Sequence, residues 1–252
     1  MNPEQVLKGL NIINSELAGI LDRATATQVL QSARTDVQSS YELYKTYVKQ
    51  THQKHEIVES GWGFSIRQRP LQFGKTVISG YPFRVDLTCE FRWQGENGEK
   101  YIKRNIAVRL WSLSKDMIFR EDWDSERLRA LSLKERVMMR FHFDLADPQQ
   151  SAPLCHLQIG GIAADHEHCW FHPKIEKPRF PHMPMDLVLA CELIAATFYE
   201  QSYRRIRKSG HWRGVLQQSQ VALLKDYFEG CLRAINERKS VLTDFLWKDA
   251  QM

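Results

Sequence analysis

"FRVDLTCEFRWQGENGEKYIKRNIAVRLW", residues 83–111, decides how the chain folds. Phe83, Val85, Leu87, Cys89, Phe91 and Trp93 alternate with Arg84, Asp86, Thr88, Glu90 and Arg92. Successive side chains of an extended chain point to opposite faces, so this alternation predicts a strand with one apolar face and one polar face. Asn97-Gly98 lies in a stretch of turn residues and signals a hairpin. Ile102, Ile106, Val108 and Leu110 then run back on one side. Residues 83–111 are therefore expected to form a long antiparallel hairpin.

The pattern repeats further along. In "RVMMRFHFDLAD", residues 136–147, Val137, Met139, Phe141, Phe143 and Leu145 alternate with Arg140, His142 and Asp144. After Pro148, "APLCHLQIGG" returns with Cys155, Leu157 and Ile159 on one face and His156 and Gln158 on the other. This is a second hairpin, and the two predict an antiparallel sheet of four or more strands with a wetted polar face. Residues 121–135 between them are expected to hold a loop and a short helix.

Helical periodicity occupies both ends. Asn2-Pro3-Glu4 has the composition of a helix start. Val6, Leu10, Ile13 and Leu17 follow at helical spacing. A second stripe starts near Thr25 or Thr27 and runs through Val29, Ala33, Val37, Tyr41 and Tyr44 to about His55. Residues 185–208 predict one apolar, buried helix ending before Gly210, and residues 212–247 a last helical stretch. The fold class is α+β: a single domain over 1–252, with an N-terminal helix pair (1–58), an antiparallel sheet region (61–172) and C-terminal helices (185–247).

Composition narrows the function classes. No run of about 18 apolar residues exists, so no membrane span is expected. The first residues lack the charged and apolar segments of a signal peptide. Five scattered cysteines are an odd number and fit reduced thiols in a cytoplasm. The net charge of +5 is only mildly basic, but its distribution is uneven. Residues 201–240 carry nine Lys or Arg against three Asp or Glu, most densely in "YRRIRKSGHWR", residues 203–213.

Five of the nine histidines lie between His156 and His182, and three readings of that segment stay open. The first is zinc, with His166, His168, Cys169 and His172 joined by Cys155, His156 or His182; the spacing matches no common site, and no metal is assigned. The second is a metal-dependent phosphodiester hydrolase. There His142, His156 and Asp86 would share the polar sheet face and Arg179 would hold an anion. No P-loop, GxGxxG, GxSxG or HExxH motif is present, and no cofactor is expected. The third is structural: Gly160-Gly161 and the prolines at 173, 178, 181 and 184 steer the chain off the sheet into the apolar helix, with His156 and Arg179 satisfying polar groups of the junction.

"HLQIGG", "KPRFPHMPMD", the helix ending "ATFYEQ" and the earlier "FRVDL" resemble an uncharacterised bacterial family. In that family a His-Leu-x-Ile-Gly strand precedes Arg-x-Pro and a helix finishing in Phe-Tyr. The resemblance covers residues 80–200, with short motifs, and Phe180 departs from the Ile or Val of the pattern. It implies bacterial origin and an accessory gene of a mobile or antiviral defence cluster, and it draws attention to His156, Arg179 and Asp86.

The 203–213 segment points to a partner. Arg204, Arg205, Arg207, Lys208 and Arg213 can follow a phosphate backbone, and Trp212 offers a ring for stacking. The plain alternative is a solvated helix end whose cations complement the helix dipole. The expectation is a non-enzymatic accessory protein that binds a nucleic acid or a nucleoprotein partner. The hydrolase is one alternative, and a protein-only interaction module using the N-terminal helices is another. The oligomeric state stays open.

Overall fold

The computed structural model describes residues 2–51, 61–94, 100–113, 136–145, 155–159 and 179–241. Among them, five helices and an eight-stranded antiparallel sheet form an α+β arrangement. The helices are α1 (Pro3–Glu16), α2 (Arg23–Thr51), α3 (Leu187–Phe198), α4 (Glu200–Ile206) and α5 (Gly210–Asn236). The strands are β1 (Trp62–Ser65), β2 (Leu71–Gln72), β3 (Thr76–Ile78), β4 (Tyr81–Gln94), β5 (Lys100–Ser112), β6 (Arg136–Leu145), β7 (Cys155–Ile159) and β8 (Arg179–Pro181).

The two predicted hairpins are present, and their register fixes which side chains share a face. On β4 and β5, Asp86 pairs with Arg109, Thr88 with Ala107 and Glu90 with Asn105. Arg109 pairs with Arg140 on β6, Ala107 with His142, and Asn105 with Asp144. On β7, Gln158 lies opposite His142 and His156 opposite Asp144. The apolar alternates Val85, Leu87, Cys89, Phe91, Ile106 and Val108 are buried in the main core with the helices.

Strands β1, β2 and β3 pair in turn with successive parts of β4, so the chain descends one edge of that long strand. Ser79 and Gly80, both at positive φ, make the tight turn from β3 into β4. Gly63 on β1 has no room for a side chain, because a Cβ there would overlap the Phe91 carbonyl oxygen. Ser40 of α2 binds the Gly63 backbone from both sides, donating to its carbonyl oxygen at 2.9 Å and accepting from its N–H at 3.1 Å. Trp62 stacks on Trp93 at 4.4 Å and meets Tyr41 edge-on at 5.5 Å. These contacts dock α2 on the sheet edge, and Tyr41 and Tyr44 pack inward.

At the N-terminus Asn2 caps α1 reciprocally with Gln5, as its composition predicts. Helix α1 packs against both α2 and α5. The expected continuous helix over 185–208 is instead two helices divided at Tyr199. The reason is local. The Phe198 carbonyl accepts a hydrogen bond from Thr76 Oγ1 at 2.7 Å. The Tyr199 hydroxyl donates to the Gly74 carbonyl, and its ring stacks on Phe73. The sheet edge thus captures the two residues at which the helix turns. The last helix is described to Asn236 and ends where Arg238 takes a φ of 56° and the Lys239 N–H returns to the Ala234 carbonyl oxygen. The short helix expected within 121–135 lies outside the described residues.

Candidate nucleic-acid interface

Helix α4, the turn after it and the first residues of α5 carry Arg204, Arg205, Arg207, Lys208 and Arg213, and all five are exposed. Exposure follows from the spacing. Within 203–213 Ile206 and Trp212 are buried and Tyr203 packs partly against the core, and the cations fall on the remaining arc. Ser209 starts α5 by accepting a hydrogen bond from the Trp212 N–H at 3.4 Å. Arg204 forms an ion pair with Glu200 at 2.5 Å on the helix surface. His211 lies 3.4 Å from Glu16 of α1.

Trp212 does not belong to this surface. It is fully buried, and its ring N–H donates to Glu192 Oε2 at 2.6 Å. Its charged neighbours in sequence imply a contact residue, but the 3.6-residue period turns its ring under the cationic arc. Glu192 also accepts from the Tyr203 hydroxyl. Burial pushes the Tyr203 phenol up to about 12, and the hydrogen bond to Glu192 adds to it. One carboxylate of α3 therefore ties α4 and α5 together from beneath, and the cations stand on a braced turn. Sequence reasoning passes over Glu192, whose only signal is a lone acid inside the apolar run "LVLACELIAATF".

The polar sheet face holds most of the residues considered for catalysis. By register, Asp86, His142 and His156 share it, and the backbone of Arg179 lies opposite Gln158 on the same side; the Arg179 side chain lies outside the described residues. The expectation of a wetted face is corrected here: Asp86, Thr88, Glu90, Arg140 and His156 are all buried. Burial forces pairing. Arg84 donates to Asp86 at 3.1 Å and lies over the Trp111 ring, and Asn105 donates to Asp144. Glu90 takes Arg67 at 3.0 Å and Arg92 at 3.5 Å. Desolvation raises the Asp86 carboxyl, and Arg84 and Arg109 oppose that shift. Burial, then the charges of Arg140, Arg109 and His156, pull the His142 imidazole down to about 3, so it is neutral at pH 7. This is a largely buried ionic layer in which Asp86 is set apart from the two histidines. His156 is in register with Asp144, two residues beyond His142, and Asp86 stands two strands from β6.

The histidine-rich segment is described only in part. His166, His168, Cys169 and His172 lie outside the described residues. Cys155 and His156, consecutive on β7, point to opposite faces and do not converge on one ion. The Cys155 sulfur accepts from Arg104 Nη2 at 2.8 Å, and His182 Nδ1 sits 2.7 Å from the Met183 carbonyl oxygen. Among the described residues no group of three or more His, Cys, Asp or Glu is placed to hold a metal ion. Nor is any described helix long and apolar enough to cross a membrane.

No protein-family model, curated protein or solved structure matches the chain.

Proposed function

We propose that this is a non-enzymatic accessory protein that binds a nucleic acid, or the nucleic acid of a nucleoprotein partner, through the cationic turn at residues 204–213. The observation that carries the reading is the exposure of Arg204, Arg205, Arg207, Lys208 and Arg213 on one braced turn. An exposed ion pair such as Arg204–Glu200 is weak, so phosphate can displace it at little cost. Arginine forks bind phosphate oxygens two at a time, and each contact releases condensed counterions. Because Trp212 and Tyr203 are engaged with Glu192, recognition is of backbone charge and not of bases by stacking. The resemblance to an uncharacterised bacterial family supports a setting in a mobile-element or defence cluster.

The test is retention of duplex and single-stranded DNA and RNA across a salt series. Replacing Arg204, Arg205 and Arg207 by Ala should weaken retention and lower the log–log salt slope by about 2.7 for duplex, at about 0.9 per contact. All three are exposed, so stability should move by less than about 0.5 kcal/mol. Unchanged retention overturns the proposal.

A second reading, a metal-dependent phosphodiester hydrolase, draws on the shared face of Asp86, His142 and His156. The burial of Asp86 and His156, and the place of Asp86 two strands from His142, weigh against it. Purified protein given Mg²⁺ or Mn²⁺ should leave DNA and RNA intact. Cleavage that His156→Ala abolishes without lowering the melting temperature would put the hydrolase first.

A further inference from the structure

Helix α5 is apolar on two sides. One side, with Trp212, Val215, Leu223 and Ala234, is buried. The other presents Val221, Phe228, Leu232 and Ile235, exposed by 58, 51, 59 and 58%. Together with Lys225 these positions are spaced by four, three, four and three residues, the seam of a two-helix coiled coil with one polar member. An exposed stripe of this size matches the largest apolar patch of a typical monomer, which is often a contact surface. Four large side chains, each about half exposed, offer on the order of 400 Å² per copy.

Charge selects the occupant. Lys225 lies in the stripe and Glu229 beside it. When two α5 helices lie parallel, Lys225 faces Lys225 of the partner subunit. When they lie antiparallel and cross at Phe228, Lys225 comes beside the partner's Glu229. Val221 then covers Ile235 of the partner subunit, and Phe228 meets its own copy. Within one chain Lys225 and Glu229 are 3.9 Å apart, so the same two groups can share charge across the axis without rebuilding. The pattern is self-complementary, which is what a two-fold interface requires.

We propose that two copies of this chain associate through α5, antiparallel, about a two-fold axis at Phe228. The stripe alone supplies about half of the roughly 800 Å² per partner of a standard interface. That size suits a dimer with a dissociation constant on the order of micromolar. The association involves no nucleic acid and stands or falls apart from the role of the cationic turn.

Sedimentation velocity of the full chain, without nucleic acid, tests this between about 1 and about 100 µM. The mass should rise from 29.5 kDa toward twice that value. Phe228→Asp should weaken association at least about 100-fold with no loss of melting temperature, since the ring is half exposed. Lys225→Glu should weaken it about tenfold, and Lys225→Glu combined with Glu229→Lys should restore it. A wild-type chain that stays monomeric at the highest concentration overturns the dimer, as does a Phe228→Asp chain that associates normally. A charge-swapped chain that stays weak overturns the antiparallel register.

Discussion

Replacing Glu192 separates the energetic parts of the brace under the cationic turn. The carboxylate takes two donors, Trp212 Nε1–H at 2.6 Å and the Tyr203 hydroxyl. Hydrogen bonds to a charged group contribute about 1.5–3 kcal/mol, and a buried donor left without a partner costs about 1–3 kcal/mol. Trp212 is fully buried and has no access to water, whereas Tyr203 is half-buried and can turn to solvent. In Glu192→Ala the indole N–H is stranded and a void forms, so the expected loss is about 3 kcal/mol. Glu192→Gln keeps the shape. Its carbonyl oxygen accepts from Trp212, and its amide donates to the Tyr203 oxygen, so only the charge is lost, at about 1 kcal/mol. A competing effect is relief from holding a carboxylate in a poorly solvated place, which can make a neutral replacement stabilising. Glu192 is only partly buried, so that relief is the smaller effect. Urea unfolding followed by far-UV circular dichroism measures both variants, with an unchanged m-value as the check on the two-state assumption. Equal losses for Ala and Gln, or a Gln variant more stable than the parent, would refute the account of a charged double acceptor.

Two further outcomes follow from burial and backbone geometry. His142 titrates near 3 in the folded chain, against 6.5 when unfolded. The unfolded chain therefore binds the proton first, and the stability present above pH 6.5 drains away as the pH falls toward 3, by on the order of 3 kcal/mol at pH 4. Urea midpoints across that window should show the loss, and His142→Gln should flatten it; an unchanged pH profile in the variant would remove His142 as the cause. Gly63→Ala should cost at least about 2 kcal/mol, because the added methyl meets the Phe91 backbone. Gly214→Ala, in α5 with open space around it, should stabilise by about 0.5–1 kcal/mol. Thermal melts of the pair that move in the same direction contradict the packing at Gly63.

The sequence carries the two hairpins because β4 and β6 alternate over about ten residues each, long enough to mark the strand and its two faces. It also carries the cap at Asn2, where the signal is a single residue with a fixed partner three positions on. The strands β1 to β3 are harder to see. Trp62, Phe64 and Ile66 alternate, but only across three positions beside two glycines, and their pairing depends on β4 lying alongside. The polar face of the sheet is legible as a face and not as a buried one. Arg84, Asp86, Arg109 and Arg140 have the composition of a wetted surface, and sequence period cannot tell what lies over it. Trp212 shows the same limit at shorter range. Among charged neighbours it reads as exposed, and only the rotation of α5 beneath the cations puts it inside.

Helix α5 links the two proposals mechanically. Its first turn carries Arg213 and closes the cationic turn, and its middle carries the stripe about Phe228. A rise of 1.5 Å per residue puts Gly210 about 27 Å from Phe228, so an antiparallel pair crossing at Phe228 holds its two cationic turns about 54 Å apart. That spacing is about 16 base pairs of duplex at 3.4 Å each. Five cations on one turn make a weak site alone, of the sequence-independent kind. Two such turns on one rigid frame convert the second contact into an intramolecular one, and affinity rises steeply once the ligand is long enough to reach both. The modest charge of a single copy is thus compatible with firm binding, provided the partner is an extended polyanion. A compact phosphate ligand would gain nothing from the second copy.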